Sequence, residues 1–195
     1  MENIDHVGAI GVAGFGWKLK IVDEAGNVVA LGTVGELCVQ GPGVMKEYYN
    51  DAQATAEVLR DDWLHTGDMA RQDEDGFVHL VDRKKDVIIS GGENLYPVQI
   101  ENFIAAMPKV HDVAVIGLPD VRLGEIAAAI IQLKEGVDCS EDEIYEFCLD
   151  LPRYKRPRRV IFAEVPRNAT GKIEKPRLRK MYGTVHEEDA DSCSQ

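Results

Sequence analysis

Three short segments join charged or polar side chains to glycine where apolar runs end, a setting in which backbone can approach a ligand closely. The first is Trp63-Leu64-His65-Thr66-Gly67-Asp68. An aspartate just after a glycine at a strand end can accept two hydrogen bonds from a vicinal diol such as a ribose. A turn capped by Asp68 is the plainer alternative. The second segment holds five consecutive charges, Asp82-Arg83-Lys84-Lys85-Asp86, then the apolar triplet Val87-Ile88-Ile89 and the pair Gly91-Gly92. Charges between two apolar strands suit a linker between two bodies, where backbone angles change. Paired glycines admit a narrow ligand, although a surface loop with a glycine turn has the same spacing. The third is Pro166-Arg167-Asn168-Ala169-Thr170-Gly171-Lys172-Ile173. It is not a phosphate-binding P-loop, because Pro166 stands where that motif needs glycine and Ile173 where it needs Ser or Thr. A lysine at the tip of a Thr-Gly turn can still reach a phosphate or carboxylate as a point charge, the bland alternative being an exposed surface lysine.

The 195-residue chain is 45% hydrophobic and 29% charged, which suits one ordinary domain or two small ones and excludes wholesale disorder. Its formal charge of −12 argues against a general nucleic-acid binder. The layout is uneven: residues 1–82 carry 5 basic and 15 acidic side chains, whereas Arg153 to Lys180 holds 11 basic against 2 acidic. That basic stretch points to a bound anion or, equally, to a solvated helix face. No apolar run approaches the roughly 20 residues of a membrane span, and MENIDHVGAI lacks a basic-then-apolar leader, so a cytoplasmic protein is expected. Cys38, Cys139, Cys148 and Cys193 form no Cys-x-x-Cys pair and join no histidine cluster, so no metal site or disulfide framework is expected.

These segments need positioning elements. Residues 1–82 are glycine-rich and alternate in period two, with strands expected at Lys18–Asp23, Glu36–Gln40 and Phe77–Val81, and one helix from Asp51 to about Arg60. Beyond them, Tyr96-Pro97 opens a helix with an apolar stripe of Val98, Phe103, Ile104 and Met107. Strands follow at Val110–Leu118 and Glu125–Leu133, then a helix begun by a Ser140/Glu143 capping box, a strand at Val160–Phe162 and a basic helix from Lys175 to Tyr182. The mixed order implies an α+β fold. Four parts are expected: a β-rich portion over 1–82, a hinge over 83–86, an α+β portion over 87–183 and a disordered acidic tail over 184–195.

Taken in order, the segments resemble the adenylate-forming enzymes, which include acyl and aryl coenzyme A ligases, luciferases and peptide-synthetase adenylation domains. The similarity spans about Gly8 to Tyr182. It rests on Gly35-Glu36-Leu37 with Gly41, Tyr48-Tyr49-Asn50, Ala54-Thr55, Trp63 to Asp68, Asp82 to Asp86, Gly91 to Pro97 with Ile100-Glu101, and Thr170 to Ile173. The Gly-Gly-Glu-Asn form is most similar to acyl-coenzyme A ligases.

The resemblance implies that a carboxylate and ATP, which brings Mg2+, give an acyl-adenylate, and that the thiol of coenzyme A then displaces AMP. No tightly bound cofactor is implied. Carried over by position, Asp68 binds the ribose hydroxyls with Arg83 beside it, and Lys85 is the hinge. Gly91 and Gly92 line the pantetheine tunnel, and Lys172 is the catalytic residue of adenylation. Ile89 stands where some members carry a further lysine, so that role does not transfer. The family's Ser/Thr/Gly-rich ATP loop and Tyr-Gly-x-Thr-Glu segment do not occur here. Accordingly the chain resembles the last third of such a ligase: the closing β-rich subdomain of the large body, the hinge and the small α+β lid. It is expected to be inactive alone. The alternative is a standalone module that docks on a separate adenylation body, or dimerises, through exposed strand edges.

Overall fold

A computed structural model describes residues 6–183. The expected acidic tail over 184–195 lies outside them. The chain divides into two compact units between Lys85 and Asp86.

The first unit is a five-stranded sheet. Strands β1 (Lys18–Val22), β2 (Gly35–Gln40) and β4 (Trp63–Gln72) lie side by side, antiparallel, and β3 (Leu59–Arg60) and β5 (Val78–Arg83) also pair with β4. Glycine is required at position 35 because a Cβ there would run into the Val22 carbonyl oxygen. Helix α1 (Ala52–Val58) starts where Asp51 accepts a hydrogen bond from the Ala54 amide, but it stops two residues short of the expected Arg60. The chain becomes extended at Leu59, and Leu59–Arg60 pairs with Trp63–Leu64, so a strand hydrogen bond wins over the last helical turn. This unit has a small core of Ile21, Leu37, Ala70 and Val78.

The second unit contains β6 (Ile88–Ser90), β7 (Glu93–Leu95), α2 (Pro97–Ala105), β8 (Val110–Asp120), β9 (Gly124–Leu133), α3 (Glu141–Phe147), β10 (Arg159–Phe162) and α4 (Lys175–Tyr182). Its sheet runs β10-β9-β6-β7, with β8 also on β9 and β10 parallel to β9. Side chains alternate between two faces, as a pleat dictates. Val113, Val115, Ala127, Ala129 and Ile131 pack with α2 and α3, whereas Ala114, Ile116, Leu118, Ala128 and Ile130 pack with Leu178 of α4. A sheet covered on both faces explains the unbroken apolar run at Ile126–Ile131. On α2 the buried positions are Pro97, Ile100 and Ile104, followed by Met107. Ile100, which the expected stripe omitted, is fully buried, and Val98 and Phe103 are only partly so. The Ser140/Glu143 capping box forms as expected, with both reciprocal hydrogen bonds present. The α+β fold class holds.

Candidate functional site

In the first unit, Asp68 lies within β4 and not at a strand end, contrary to expectation. The pairing beside it is irregular: Glu36 pairs with Met69 and Cys38 with His65, so one residue of β2 faces three of β4. A bulge of this kind re-aims side chains. Thr66 fixes it, its hydroxyl donating to the Leu37 carbonyl at 2.8 Å and accepting from the Asp68 amide at 3.1 Å. On the other flank Asp68 is the register partner of Arg83 in β5, and Arg83 Nε meets Asp68 Oδ1 at 2.8 Å. Both predicted nucleotide residues therefore stand together, with Asp68 Oδ2 facing no partner among the described residues.

Glu36, buried in β2, accepts from His65 Nδ1 at 3.1 Å and from Lys84 Nζ at 2.9 Å. Burial alone raises its pKa, but the hydrogen bonds from Lys84 and His65 outweigh it and hold the carboxyl below its ordinary value. This anchor escaped sequence reasoning. Its one signal was an acidic residue inside a short strand, at Gly35-Glu36-Leu37.

Lys84, Lys85 and Asp86 form a single 3-10 turn. Lys84 is tied to Glu36 within the first unit, and buried Asp86 accepts from Arg179 Nη2 at 2.8 Å within the second. Exposed Lys85, between them, has no side-chain partner among the described residues.

Gly91 and Gly92 connect β6 to β7, with Ser90 paired to Glu93. Both have positive φ, +58° and +86°, as a two-residue I′ hairpin turn requires. The Gly91 amide donates to the Leu123 carbonyl at 2.8 Å, which braces the turn against the β8–β9 connection.

Lys172 stands exposed on a turn closed by Asn168, whose Oδ1 accepts from the Thr170 amide, the Thr170 hydroxyl and the Lys172 amide at 3.0, 2.7 and 2.9 Å. The Asn168 amide donates in return to the Lys172 carbonyl at 2.9 Å. The Lys172 ammonium has no partner among the described residues. After the turn, Lys175 is buried, its Nζ 2.8 Å from Glu101 Oε1 at an angle poor for a hydrogen bond, so the contact is an ion pair. That Glu101 oxygen also accepts from the Val115 amide at 2.8 Å and so joins α2 and α4 to β8. Among the described residues no cluster of His, Cys, Asp or Glu is able to hold a metal ion. Burial pushes the Cys38 and Cys148 thiols up to about 11, away from the reactive thiolate form. No helix among the described residues is long and apolar enough to cross a membrane.

Residues 99–172 match the family described as the AMP-binding enzyme C-terminal domain, and residues 1–49 match the AMP-binding enzyme family. This chain belongs to the AMP-binding, adenylate-forming enzymes. A feruloyl-CoA synthase from an Amycolatopsis species is 42% identical over 181 residues, covering 92% of this chain and 37% of the relative. A long-chain-fatty-acid–CoA ligase, FadD13 of Mycobacterium tuberculosis, is 49% identical over 153 residues, 77% of this chain and 30% of the ligase. Among solved structures, o-succinylbenzoate CoA synthetase from Bacillus subtilis in complex with its acyl-adenylate intermediate superposes with a TM-score of 0.83 at 34% identity, covering 91% of this chain and 36% of that one. The chain thus spans about a third of the relatives it matches.

Proposed function

We propose that the chain is the C-terminal portion of an ATP-dependent carboxylate–CoA ligase and that it has no adenylation activity alone. Asp68 accepts hydrogen bonds from the ribose, with Arg83 holding the carboxylate in place. Lys172 stabilises negative charge shared by the attacking carboxylate and the α-phosphate of Mg2+-bound ATP. Rotation at Lys85 then withdraws Lys172 and brings Gly91 and Gly92 to the pantetheine arm, so one centre serves two reactions in turn. The carboxylate is a fatty or aryl acid, the classes named by the relatives.

The observation that carries this assignment is Lys172 itself: an ammonium with no partner among the described residues, on a turn whose backbone is fixed on both sides of it. A fixed donor aimed at developing charge in a water-excluded site contributes about 3 kcal/mol, or roughly a hundredfold in rate. The anchoring of Lys84 and Asp86 to opposite units supports a pivot at Lys85.

The test has two parts. The purified chain gives no ATP–pyrophosphate exchange with any carboxylate; exchange would refute the assignment of an incomplete site. In an enzyme assembled from this chain and an adenylation body, Lys172→Ala slows adenylation about a hundredfold yet leaves thioester formation from supplied acyl-adenylate near its starting rate. Equal losses in both steps would remove the role given to Lys172.

Docking on a separate body, or dimerisation, is the alternative, and the exposed Val7, Phe15 and Tyr49 of the first unit favour it. Light scattering separates the two, because a well-behaved monomer counts against docking between copies.

A further inference from the structure

The turn that carries Lys172 is gripped from one side by a single guanidinium. Arg167, bridged to Ile173 across the base of the turn, directs Nε and Nη2 onto Asp112 Oδ2 and Oδ1 at 2.7 and 2.9 Å. Its Nη1 donates to the Gly171 carbonyl at 2.6 Å. One side chain therefore ties β8 to the residue immediately before Lys172. The pairing is the bidentate form available to arginine and not to lysine. Asp112 is itself oriented, since its Oδ1 accepts from the Val113 amide at 2.9 Å, where the β8–β9 register slips. Burial raises the Asp112 pKa, but the Arg167 fork and the Val113 amide together hold it below the ordinary carboxylate value.

We propose that Arg167, held by Asp112, is a positioning residue that fixes the point from which the Lys172 side chain starts. A lysine has a long flexible stem, so the protein can preorganise it only through the backbone that carries it. Electrostatic stabilisation demands placement to well under an ångström or so, and a loosened turn forfeits it without removing the charge. Gly171, at φ +81°, sits where its carbonyl would lose its side-chain partner without Arg167. Asn168 and the backbone bridge at the base of the turn would then hold it. The consequence for catalysis rests on the proposed role of Lys172 in adenylation; the clamp does not.

Amide hydrogen exchange by NMR on the 195-residue chain tests the clamp. Arg167→Gln raises exchange at Gly171 and Lys172 about tenfold, the scale of one charge-assisted hydrogen bond. Arg167→Lys, which keeps the charge and loses the fork, gives a smaller rise. Asp112→Asn reproduces the effect of Arg167→Gln, and the double variant goes no further than either. Amides of Ala128 to Ile130 and the thermal midpoint stay as they were. Arg177→Gln, which removes a different exposed arginine paired with Glu174, changes nothing at the turn. Unaltered exchange in Arg167→Gln, or an equal rise throughout β9, overturns the clamp. In an assembled enzyme, Arg167→Gln lowers kcat of adenylation with the carboxylate KM unchanged and spares thioester formation. Should exchange rise as expected while both half-reactions fall equally, the clamp stands and the adenylation role of Lys172 fails.

Discussion

Asp73 shows how much one carboxylate can organise. It accepts from His79 Nε2 and His6 Nδ1, each at 3.0 Å, and from the Phe77 amide at 2.8 Å, and His6 stacks on Phe77 with ring centroids 3.7 Å apart. The His79 hydrogen bond, opposed by burial and helped by the Phe77 amide and His6, lowers its pKa from 3.8 to about 2. A carboxyl depressed on folding stabilises above its unfolded value and loses that contribution as pH falls through the folded one. Asp73→Asn is therefore expected to lower the urea midpoint of the first unit at pH 5, with the gap closing between about pH 4 and pH 2. A gap undiminished from pH 5 to pH 2 would show that Asp73 acts through shape and not charge. Local capping of this kind is readable from a sequence, as Asp51 and Ser140 with Glu143 illustrate. Asp112 with Arg167 and Glu36 with Lys84 are not, because their partners lie 55 and 48 residues apart and no local spacing marks them.

Among elements, a clean apolar or alternating pattern was legible and length alone was not: ten-residue β4, whose register shifts against both β2 and β5, was not expected as a strand. Strands β8 and β9 announce themselves by length and apolar content, and both faces of their sheet are filled. By contrast β3 and β7, of two and three residues, exist only through their partners β4 and β6. Nothing in a stretch that short outweighs local propensity until the partner strand supplies hydrogen bonds. The same dependence on context placed Asp68 inside a bulged strand, since a bulge is a property of two strands. Burial then separates neighbouring side chains that look alike in the sequence. Ile130 is fully buried between β8, β10 and α4, whereas Ile89 is 53% exposed. Ile130→Ala is expected to destabilise the second unit by about 2–5 kcal/mol, the range for a fully buried isoleucine, and Ile89→Ala by well under 1 kcal/mol. Urea titration followed by circular dichroism compares them, and equal losses would contradict the two-faced packing of the sheet.

For the chain as a whole, the two units differ in how far they can sustain themselves. Among the described residues the first has one packed cluster of Ile21, Leu37, Ala70 and Val78, with Val22, Cys38, Phe77 and Val81 buried beside it, and exposes Val7, Phe15, Leu31 and Tyr49, while the second has two apolar layers, one on each face of its sheet. Small cores leave little stability after chain entropy is met, and exposed apolar groups favour association. The first unit ends on three consecutive exposed trypsin sites, Arg83, Lys84 and Lys85, directly before Asp86 opens the second. Limited trypsin digestion is accordingly expected to cut first at these residues and to release a C-terminal piece that keeps a cooperative thermal transition, while the N-terminal piece aggregates. Mass spectrometry locates the cut and circular dichroism follows the melt. First cuts inside β8 or β9, or a C-terminal piece that melts without cooperativity, would mean that the second unit borrows its stability from the first. A pivot at Lys85 demands the opposite, because a lid able to rotate has to keep its own fold in every orientation it visits.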